Sequence, residues 1–165
     1  MTDRSHPVRS VALVCLGNIC RSPTAAVVLE HQLAGAGIAG TVTVASAGTG
    51  DWHLGAPMDE RAAAALRAAG YDPSGHLAQQ VDATWFASHD LLLAMDASNL
   101  ADLHALAPDE AARSRVALYR SYDPASGPDG TDVPDPWFGG PEGFDEVLAI
   151  VERTSAELVR ALTAR

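Results

Sequence analysis

The sequence predicts an α/β fold in which helices cover both faces of a parallel β-sheet. Short apolar or β-branched segments alternate along the chain with segments of helical spacing, and this alternation implies right-handed β-α-β crossovers. The first segment, Val8–Val14, is almost continuously apolar, as expected of a strand that is buried on both faces. The 165 residues show no linker or internal repeat, so we expect one domain over residues 1–165.

Four segments have the composition and length of strands. They are Val8–Val14, Thr41–Ser46, Asp90–Met95 and Val116–Tyr119. Cys15, Ser46 and Asp96 lie at or just after the ends of three of them. Because ligands of parallel α/β sheets bind beyond the carboxyl ends of the strands, we expect these three residues to lie at one edge of the sheet.

Four further segments have the spacing and boundary residues of helices. The first has Ser22 as its predicted N-cap, Pro23 at its first position and glycines at positions 35 and 37 at its end. Its apolar positions at helical spacing are Ala26, Leu29, Leu33 and Ala36. The other helices are Pro57–Ala69, Ala97–Ala107 and a long C-terminal helix from about Phe144, with Val147, Val151, Leu158 and Leu162 facing inward.

The segment Ser121–Pro141 has neither a helical nor a strand pattern. It contains five prolines and four glycines. A long segment of this kind inside a compact domain is usually functional or disordered, so we expect it to lack regular structure.

The composition excludes several classes of protein. The formal net charge of −10 argues against a binder of nucleic acid or of anionic membranes. The chain contains no lysine, which excludes a Walker-type phosphate loop and Schiff-base chemistry. Two cysteines five residues apart make neither a structural zinc motif nor a disulfide scaffold. No signal core or transmembrane run is visible, so we expect a cytoplasmic protein, with leaderless export left open.

The nine residues Cys15–Pro23 carry the chemistry of this sequence. They join the first strand to the first helix, and the loop from Cys15 to Arg21 is long enough to surround one tetrahedral anion. Loop amides and the following helix N-terminus attract anions, Arg21 adds a forked donor, and the same positive field favours the thiolate of Cys15. The alternatives are a buried structural cysteine and a surface arginine. The cysteine, the arginine and the helix N-terminus occur together at this spacing, which favours a phosphate-binding loop that contains a nucleophile.

Two loop residues, Gly17 and Asn18, tolerate the positive φ angles that a tight anion-binding loop requires. The residues predicted to form the phosphate-binding loop are Leu16, Gly17, Asn18, Ile19, Cys20, Arg21 and Ser22.

The sequence Cys-Leu-Gly-Asn-Ile-Cys-Arg-Ser-Pro at Cys15–Pro23 resembles the signature of the low-molecular-weight protein tyrosine phosphatases of bacterial type. Far downstream, Asp135-Pro136-Trp137 is similar to the Asp-Pro-Tyr acid motif of that family. The resemblance implies a four-stranded parallel sheet in a Rossmann-like three-layer sandwich. It also implies hydrolysis of protein phosphotyrosine through a phosphocysteine intermediate, without a cofactor or metal. Cys15 would be the nucleophile, Arg21 would hold the phosphoryl oxygens and Asp135 would protonate the phenol.

The assignment of the acid depends on this resemblance, because Asp-Pro is also an ordinary turn sequence. A carboxylic acid beside the leaving oxygen can protonate it and then act as base on the attacking water. Asp132, three residues upstream, is the nearest competitor of Asp135. Asp123 also precedes a proline, but no aromatic residue follows it.

The resemblance further assigns a supporting network and a cleft. Asn18 and Ser22 match residues that shape the loop and hydrogen-bond the thiolate. Ser46 and His76 match a network behind the loop, with a turn serine and a surface histidine as the alternatives. The predicted cleft residues are Leu16, Ile19, Trp52, His53, Trp137 and Phe138. The last two stand where many members carry two tyrosines, so an aromatic wall is kept while both hydroxyls are lost.

Cys20 has two interpretations. It is a buried structural thiol, or it is a redox partner that protects Cys15 through a reversible disulfide. Relatives use the second chemistry, so the resemblance predicts that Cys15 and Cys20 form a redox pair.

Three rival functions fit parts of the sequence. A thioredoxin-coupled arsenate reductase shares the Cys-x5-Arg loop but needs further cysteines, and none follows Cys20. A protein arginine phosphatase has a threonine where this chain has Ile19. A binding module for phosphorylated partners predicts the loss of Cys15 or Asp135, and both are present. The expected partners are tyrosine-phosphorylated proteins, among them a bacterial tyrosine kinase, and the chain is expected to be a monomer.

Overall fold

The structure is a computed structural model that describes residues 7–127 and 130–164. The first six residues of the polar N-terminal segment, residues 128–129 of the proline- and glycine-rich segment, and residue 165 lie outside the described residues. Within the described ranges, no helix combines the length and the apolar character needed to cross a membrane.

Four parallel strands form one sheet. They are β1 (Ser10–Cys15), β2 (Thr43–Gly48), β3 (Leu91–Ala94) and β4 (Val116–Leu118). Their spatial order is β2-β1-β3-β4, which places β1 between two parallel partners. Residues 11–14 of β1 are fully buried, as their continuous apolar run predicts. The predicted four-stranded parallel sheet is confirmed, with strand ends that differ by at most two residues from the predicted ones.

The described residues form six α-helices and one 3₁₀ helix. They are α1 (Arg21–Gly35), α2 (Glu60–Ala68), α3 (Trp85–Ser88), α4 (Ala97–Leu106), α5 (Glu110–Arg113), the 3₁₀ helix Tyr119–Tyr122 and α6 (Pro141–Thr163). The sequence does not predict α3 and α5, because four residues are too few to show helical periodicity. α6 begins three residues before its predicted start at Phe144. Pro141 lies in the first turn, where backbone N–H groups have no acceptor within the helix, so the N–H that proline lacks is not needed.

Helices pack on both faces of the sheet and divide the core into two clusters. Successive residues of a strand point to opposite faces. Val11 and Leu13 accordingly belong to a cluster with residues of α1, α2 and α6, whereas Ala12 and Val14 belong to a cluster with residues of α3, α4 and α5. The arrangement therefore has three layers, as the resemblance implies.

The start of α1 differs from its prediction. The sequence predicts Ser22 as the N-cap, but Cys20 occupies that position, and no side chain caps the helix. Ser22 lies inside the first turn and is buried, with its hydroxyl 3.0 Å from the Cys15 sulfur. The end of the helix agrees with its prediction, because α1 ends at Gly35, but Ala36 of the predicted apolar face lies beyond the helix and is exposed.

In its described residues, the segment 121–141 is more ordered than its composition predicts. It starts inside the 3₁₀ helix, and Val133 is almost fully buried, with its N–H donating to the Met95 carbonyl oxygen at 2.7 Å. The Asp123 side chain is fully buried and pairs with Arg120 at 2.8 Å and Arg153 at 2.7 Å. Because Arg153 lies on α6, these ion pairs fix the start of the segment to the C-terminal helix.

Asp123→Asn is expected to lower the free energy of unfolding by about 2 kcal/mol, because it removes the charge from the hydrogen bonds that the buried carboxylate accepts from the partly exposed Arg120 and Arg153. Hydrogen bonds, first from Arg153 and also from Arg120, hold the pKa of Asp123 far below its ordinary value. The folded state therefore binds fewer protons than the unfolded state in acid. The wild type should lose this stability as the pH falls below about 4, and the variant should lose less. Urea unfolding at a series of pH values measures both effects, and equal pH slopes for the two proteins would contradict the prediction.

Candidate active site

Residues 15–21 form a loop between β1 and the first turn of α1. Asn18 has a φ angle of 58°, a left-handed conformation that asparagine tolerates better than most residues. In this conformation the Asn18 backbone N–H donates to the Cys15 sulfur at 3.3 Å. The N-terminus of α1 follows directly, so the loop amides and the positive end of the helix favour an anion at the same place.

The Cys15 sulfur is buried and hydrogen-bonded. Ser22 Oγ lies 3.0 Å from Cys15 Sγ and accepts a hydrogen bond from Asn18 Nδ2 at 2.8 Å. Its single proton can go to Cys15 Sγ or to the Ala47 carbonyl oxygen, which is 3.4 Å away. When Cys15 is a thiolate, the Ser22 hydroxyl donates to it, and the thiolate receives two hydrogen bonds.

A hydrogen-bonded network holds the loop from behind. Asn18 Nδ2 also donates to Ser46 Oγ at 3.0 Å, and Asn18 Oδ1 accepts from the Gln79 backbone N–H at 3.0 Å. His76 Nε2 donates to the Asn18 carbonyl oxygen at 2.6 Å. A carbonyl oxygen can only accept, so this contact requires the proton on Nε2. Burial lowers the pKa of His76, which keeps the ring neutral near pH 7.

Gly48, at the end of β2, lies directly against the loop. It pairs in register with Cys15. A Cβ atom at this position would lie 2.5 Å from the Leu16 carbonyl oxygen and 3.1 Å from the Asn18 nitrogen. Only glycine permits such a close approach of two backbone segments.

Arg21 joins the loop to two other elements. Its side chain is 5% exposed, and Nη1 donates to Asp96 Oδ2 at 2.7 Å and to the Val133 carbonyl oxygen at 3.1 Å. These two acceptors fix the guanidinium plane, and Nη2 lies 3.8 Å from Asp135 Oδ2. Positive charge in the site thus comes from Arg21, the loop amides and the helix N-terminus. Among the described residues, no cluster of three or more His, Cys, Asp or Glu side chains could hold a metal ion.

The three candidate acids occupy different environments. Asp135 faces the loop, with its side chain 44% exposed and its Oδ1 accepting the Trp137 backbone N–H at 3.1 Å. Asp132 Oδ1 accepts the Ala97 backbone N–H at 3.0 Å, at the start of α4. Asp123 is buried in its ion pairs with two arginines. Of the three, Asp135 is the one that lines the cleft above Cys15.

The loop forms one side of a cleft of about 460 Å³. Its lining residues are Cys15, Leu16, Gly17, Asn18, Ile19, Cys20, Arg21, Trp52, His53, Asp135, Trp137 and Phe138. The rings of His53 and Trp137 are in contact, with centroids 5.9 Å apart, whereas Trp52 and Phe138 are 70% and 91% exposed at the mouth. The structure therefore brings every predicted cleft residue together around Cys15.

Cys20 lies in the same cleft beside acidic groups. Burial, followed by the negative charges of Asp59, Cys15 and Asp135, raises the pKa of Cys20 to about 12. Cys20 is therefore a thiol at neutral pH. Neither Cys15 nor Cys20 forms a disulfide in this structure.

Sequence reasoning missed three contributors to this site. It places Asp96 at the correct edge of the sheet but gives it no role, whereas the structure pairs it with Arg21. Gln79 acts through its backbone N–H and Gly48 through its missing side chain, and neither property has a pattern in the sequence. The one signal available for Asp96 and Gly48 was their position at the ends of strands.

This chain is similar to known proteins over almost its whole length. The family model for low molecular weight phosphotyrosine protein phosphatase matches residues 10–165. A low molecular weight protein-tyrosine-phosphatase from Streptomyces coelicolor is 45% identical over 152 residues, which cover 92% of each chain. The crystal structure of YfkJ from Bacillus subtilis matches with a TM-score of 0.88 at 34% identity over 98% of both chains. A protein tyrosine phosphatase from Entamoeba histolytica, with Hepes in its active site, matches with a TM-score of 0.89 at 29% identity over 94% of this chain and 97% of that one.

Gly48→Ala is expected to weaken the binding of inorganic phosphate about tenfold, roughly 1.4 kcal/mol, because the new methyl group displaces the Leu16 and Asn18 backbone atoms. Isothermal titration calorimetry measures the affinity. Gly35→Ala is the matched control, since a Cβ atom there meets nothing within 4 Å, and it should keep the wild-type value. Equal affinities for the two variants would show that the loop accommodates a Cβ atom and that the prediction is wrong.

Proposed function

Because the chain belongs to the low molecular weight phosphotyrosine protein phosphatase family, we propose that it hydrolyses phosphotyrosine in proteins through a phosphocysteine intermediate. One observation carries the proposal: Cys15, Arg21 and Asp135 line a single cleft with aromatic walls. These residues supply a nucleophile, a clamp for phosphoryl oxygens and an acid at the place where one aryl phosphate fits.

In the first step, the Cys15 thiolate attacks phosphorus in line with the bond to the tyrosyl oxygen. An S–P bond forms while the P–O bond breaks, and the electron pair of the P–O bond stays on oxygen. Asp135 protonates that oxygen, so tyrosine leaves as a neutral phenol. Arg21 and the loop amides hold the three remaining phosphoryl oxygens and stabilise their charge in the transition state.

In the second step, a water molecule attacks the phosphorus of the phosphocysteine. Asp135, now a carboxylate, accepts a proton from this water. The S–P bond breaks, its electron pair returns to Cys15, and inorganic phosphate is released. The Ser22 hydroxyl, 3.0 Å from the sulfur, donates to the departing thiolate and so makes it a better leaving group.

The shape of the cleft supports an aryl phosphate as substrate. Cys15 is 3% exposed, and the rings of His53 and Trp137 line the same cleft. The flat ring of an aryl phosphate can pack against these aromatic walls, whereas the short aliphatic side chain of phosphoserine offers no such surface. Ile19, also in the lining, provides an apolar contact suited to a ring rather than to a guanidinium. Trp137 and Phe138 supply aromatic surface without hydroxyl groups.

The proposed substrates are tyrosine-phosphorylated proteins, and a bacterial tyrosine kinase is the predicted partner among them. With a net charge of −10, the protein repels anions at long range, so recognition of the phosphoryl group depends on short-range contacts with the loop. The cytoplasmic location and the monomeric state stay predictions of the sequence.

The wild type is expected to hydrolyse a phosphotyrosine peptide without added metal and to leave the phosphoserine and phosphoarginine versions of that peptide almost unchanged. Cys15→Ser should abolish turnover, because a serine hydroxyl is a much weaker nucleophile at neutral pH. Asp135→Ala should lower kcat by about 10²-fold or more, the usual contribution of a positioned acid. Phosphate release measures turnover, and mass spectrometry of the acid-quenched enzyme detects the phosphocysteine.

Asp132→Ala is the matched control for Asp135. Asp132 lies three residues upstream, and its side chain accepts the Ala97 N–H instead of facing the cleft, so this variant should keep nearly full turnover. A loss of activity in Asp132→Ala but not in Asp135→Ala would move the acid to Asp132. Turnover of phosphoarginine or arsenate in place of phosphotyrosine would overturn the proposed function.

We also propose that Cys20 protects Cys15 from irreversible oxidation. Both cysteines are free and line the same cleft, and the pKa of about 12 keeps Cys20 protonated and slow to react with oxidants. A peroxide oxidises the Cys15 thiolate to a sulfenic acid and releases hydroxide. The Cys20 sulfur then loses its proton and attacks the sulfenic sulfur. The S–S bond forms as the S–O bond breaks, and the departing hydroxide takes up a proton and leaves as water.

Cys20→Ser is expected to make inactivation by hydrogen peroxide irreversible. After peroxide and then dithiothreitol, the wild type should recover most of its phosphatase activity, because the disulfide is reducible. The variant should recover little, because its sulfenic acid proceeds to sulfinic acid. Mass spectrometry of the alkylated protein identifies the disulfide-linked peptide. Equal recovery by the two proteins would assign Cys20 a structural role.

A further inference from the structure

Asp135 lies between two backbone contacts that hold its segment in place. On one side, the Val133 carbonyl oxygen accepts from Arg21 Nη1 at 3.1 Å. On the other side, the Trp137 carbonyl oxygen accepts from Arg61 Nη1 at 3.2 Å. Between them, Asp135 Oδ1 accepts the Trp137 N–H at 3.1 Å. The Trp137 backbone therefore connects the Asp135 carboxylate to Arg61.

The Arg61 guanidinium is held by contacts on several sides. Its Nε and Nη2 donate to the two carboxylate oxygens of Asp59 at 3.3 and 3.2 Å, the forked pairing that favours arginine over lysine. Its central carbon lies 5.2 Å from the centroid of the Trp137 ring and 4.7 Å from that of the Phe144 ring, both within cation–π range. These contacts leave Nη1 directed at the Trp137 carbonyl oxygen.

Asp59 connects Arg61 to the phosphate-binding loop. The Asp59 side chain is the N-cap of α2, and its backbone N–H donates to the Ile19 carbonyl oxygen at 2.9 Å. Burial by itself raises the pKa of Asp59, but hydrogen bonds, first from Arg61, outweigh it and lower the pKa below its ordinary value. Asp59 is thus a carboxylate at neutral pH. A continuous set of contacts leads from the loop through Asp59 and Arg61 to Trp137.

We propose that Arg61 is a positioning residue that holds Asp135 at the leaving oxygen, an inference that rests on the proposed function. Arg61 acts through the Trp137 backbone and does not touch the substrate. Because Val133 and Trp137 each lie two residues from Asp135, loss of the Arg61 contact frees one end of this five-residue segment while Arg21 keeps the other. The carboxyl group then spends less time in the geometry that protonates the phenol, and proton transfer slows.

A purely structural role for Arg61 makes different predictions. The Arg61 side chain is 42% exposed, and an exposed ion pair on the first turn of a helix stabilises a protein only slightly. A structural loss would also slow every substrate equally. A positioning loss slows most the substrates whose leaving group needs a proton, because a stable phenolate departs without help from Asp135.

The test compares kcat/KM for phenyl phosphate, a poor leaving group, with kcat/KM for 4-nitrophenyl phosphate, a good one. Arg61→Ala should lower the first value about tenfold and the second about twofold, as expected when an acid is present but misplaced. In the Asp135→Ala background, Arg61→Ala should have almost no further effect, because residues that act through one group are not additive. Arg61→Lys keeps the charge but not the fork, and it should fall between Arg61→Ala and the wild type.

Arg67→Ala is the matched control, since Arg67 lies on α2 and is exposed, and it should leave both kcat/KM values unchanged. If Arg61→Ala does not fold, Arg61→Lys and Arg61→Gln replace it in the double-mutant cycle with Asp135→Ala. Equal slowing of both substrates, or effects of Arg61 and Asp135 that multiply, would overturn the inference while Asp135 remains the acid. No effect of Asp135→Ala on phenyl phosphate would remove the acid of the proposed function, and the inference would fall with it.

Discussion

The geometry of this site depends on the left-handed backbone of one buried residue, Asn18. Five hydrogen bonds hold it. Its backbone N–H donates to the Cys15 sulfur, its side-chain NH2 donates to Ser22 and Ser46, and its two oxygens accept from Gln79 and His76. A left-handed conformation costs a non-glycine residue about 1 kcal/mol, and these contacts offset that cost. This conformation directs the Asn18 backbone N–H at the Cys15 sulfur. The strained residue therefore also provides a hydrogen-bond donor for an anion at that place.

The parallel sheet brings several residues that support the loop to one edge. Ser46 and Gly48 lie on β2, and Asp96 follows β3. Both strands flank β1 in parallel, so their carboxyl ends converge on Cys15. In a chain with a net charge of −10, this convergence builds one local site where amides, a helix N-terminus and a buried arginine meet. The attraction for an anion is therefore short-ranged and confined to the cleft.

The segment that carries Asp135 is held in place by contacts with other parts of the chain. It forms no helix or strand between Asp123 and Gly140 in its described part, yet Arg21 and Arg61 bind its backbone at Val133 and Trp137. Loops positioned by a rigid scaffold commonly carry catalytic groups, because they can approach a substrate that helices and strands cannot reach. Here the Cys15–Arg21 loop itself is part of that scaffold. Cys15 and Asp135 are thereby held by one connected set of contacts.

The sequence by itself determined the elements whose signals are local. The apolar run of β1, the alternation of strands with helices and the Cys15–Pro23 loop each depend on neighbouring residues, and periodicity and spacing reveal them. The same reasoning failed at Ser22. Serine is a favoured N-cap residue, but Ser22 lies inside the first turn of α1 and its hydroxyl contacts the Cys15 sulfur. Only the tertiary structure decided that Asp96 pairs with Arg21 and that Gly48 must lack a side chain. Those properties arise where segments distant in the chain come within hydrogen-bonding or van der Waals distance, and no local pattern encodes such an approach.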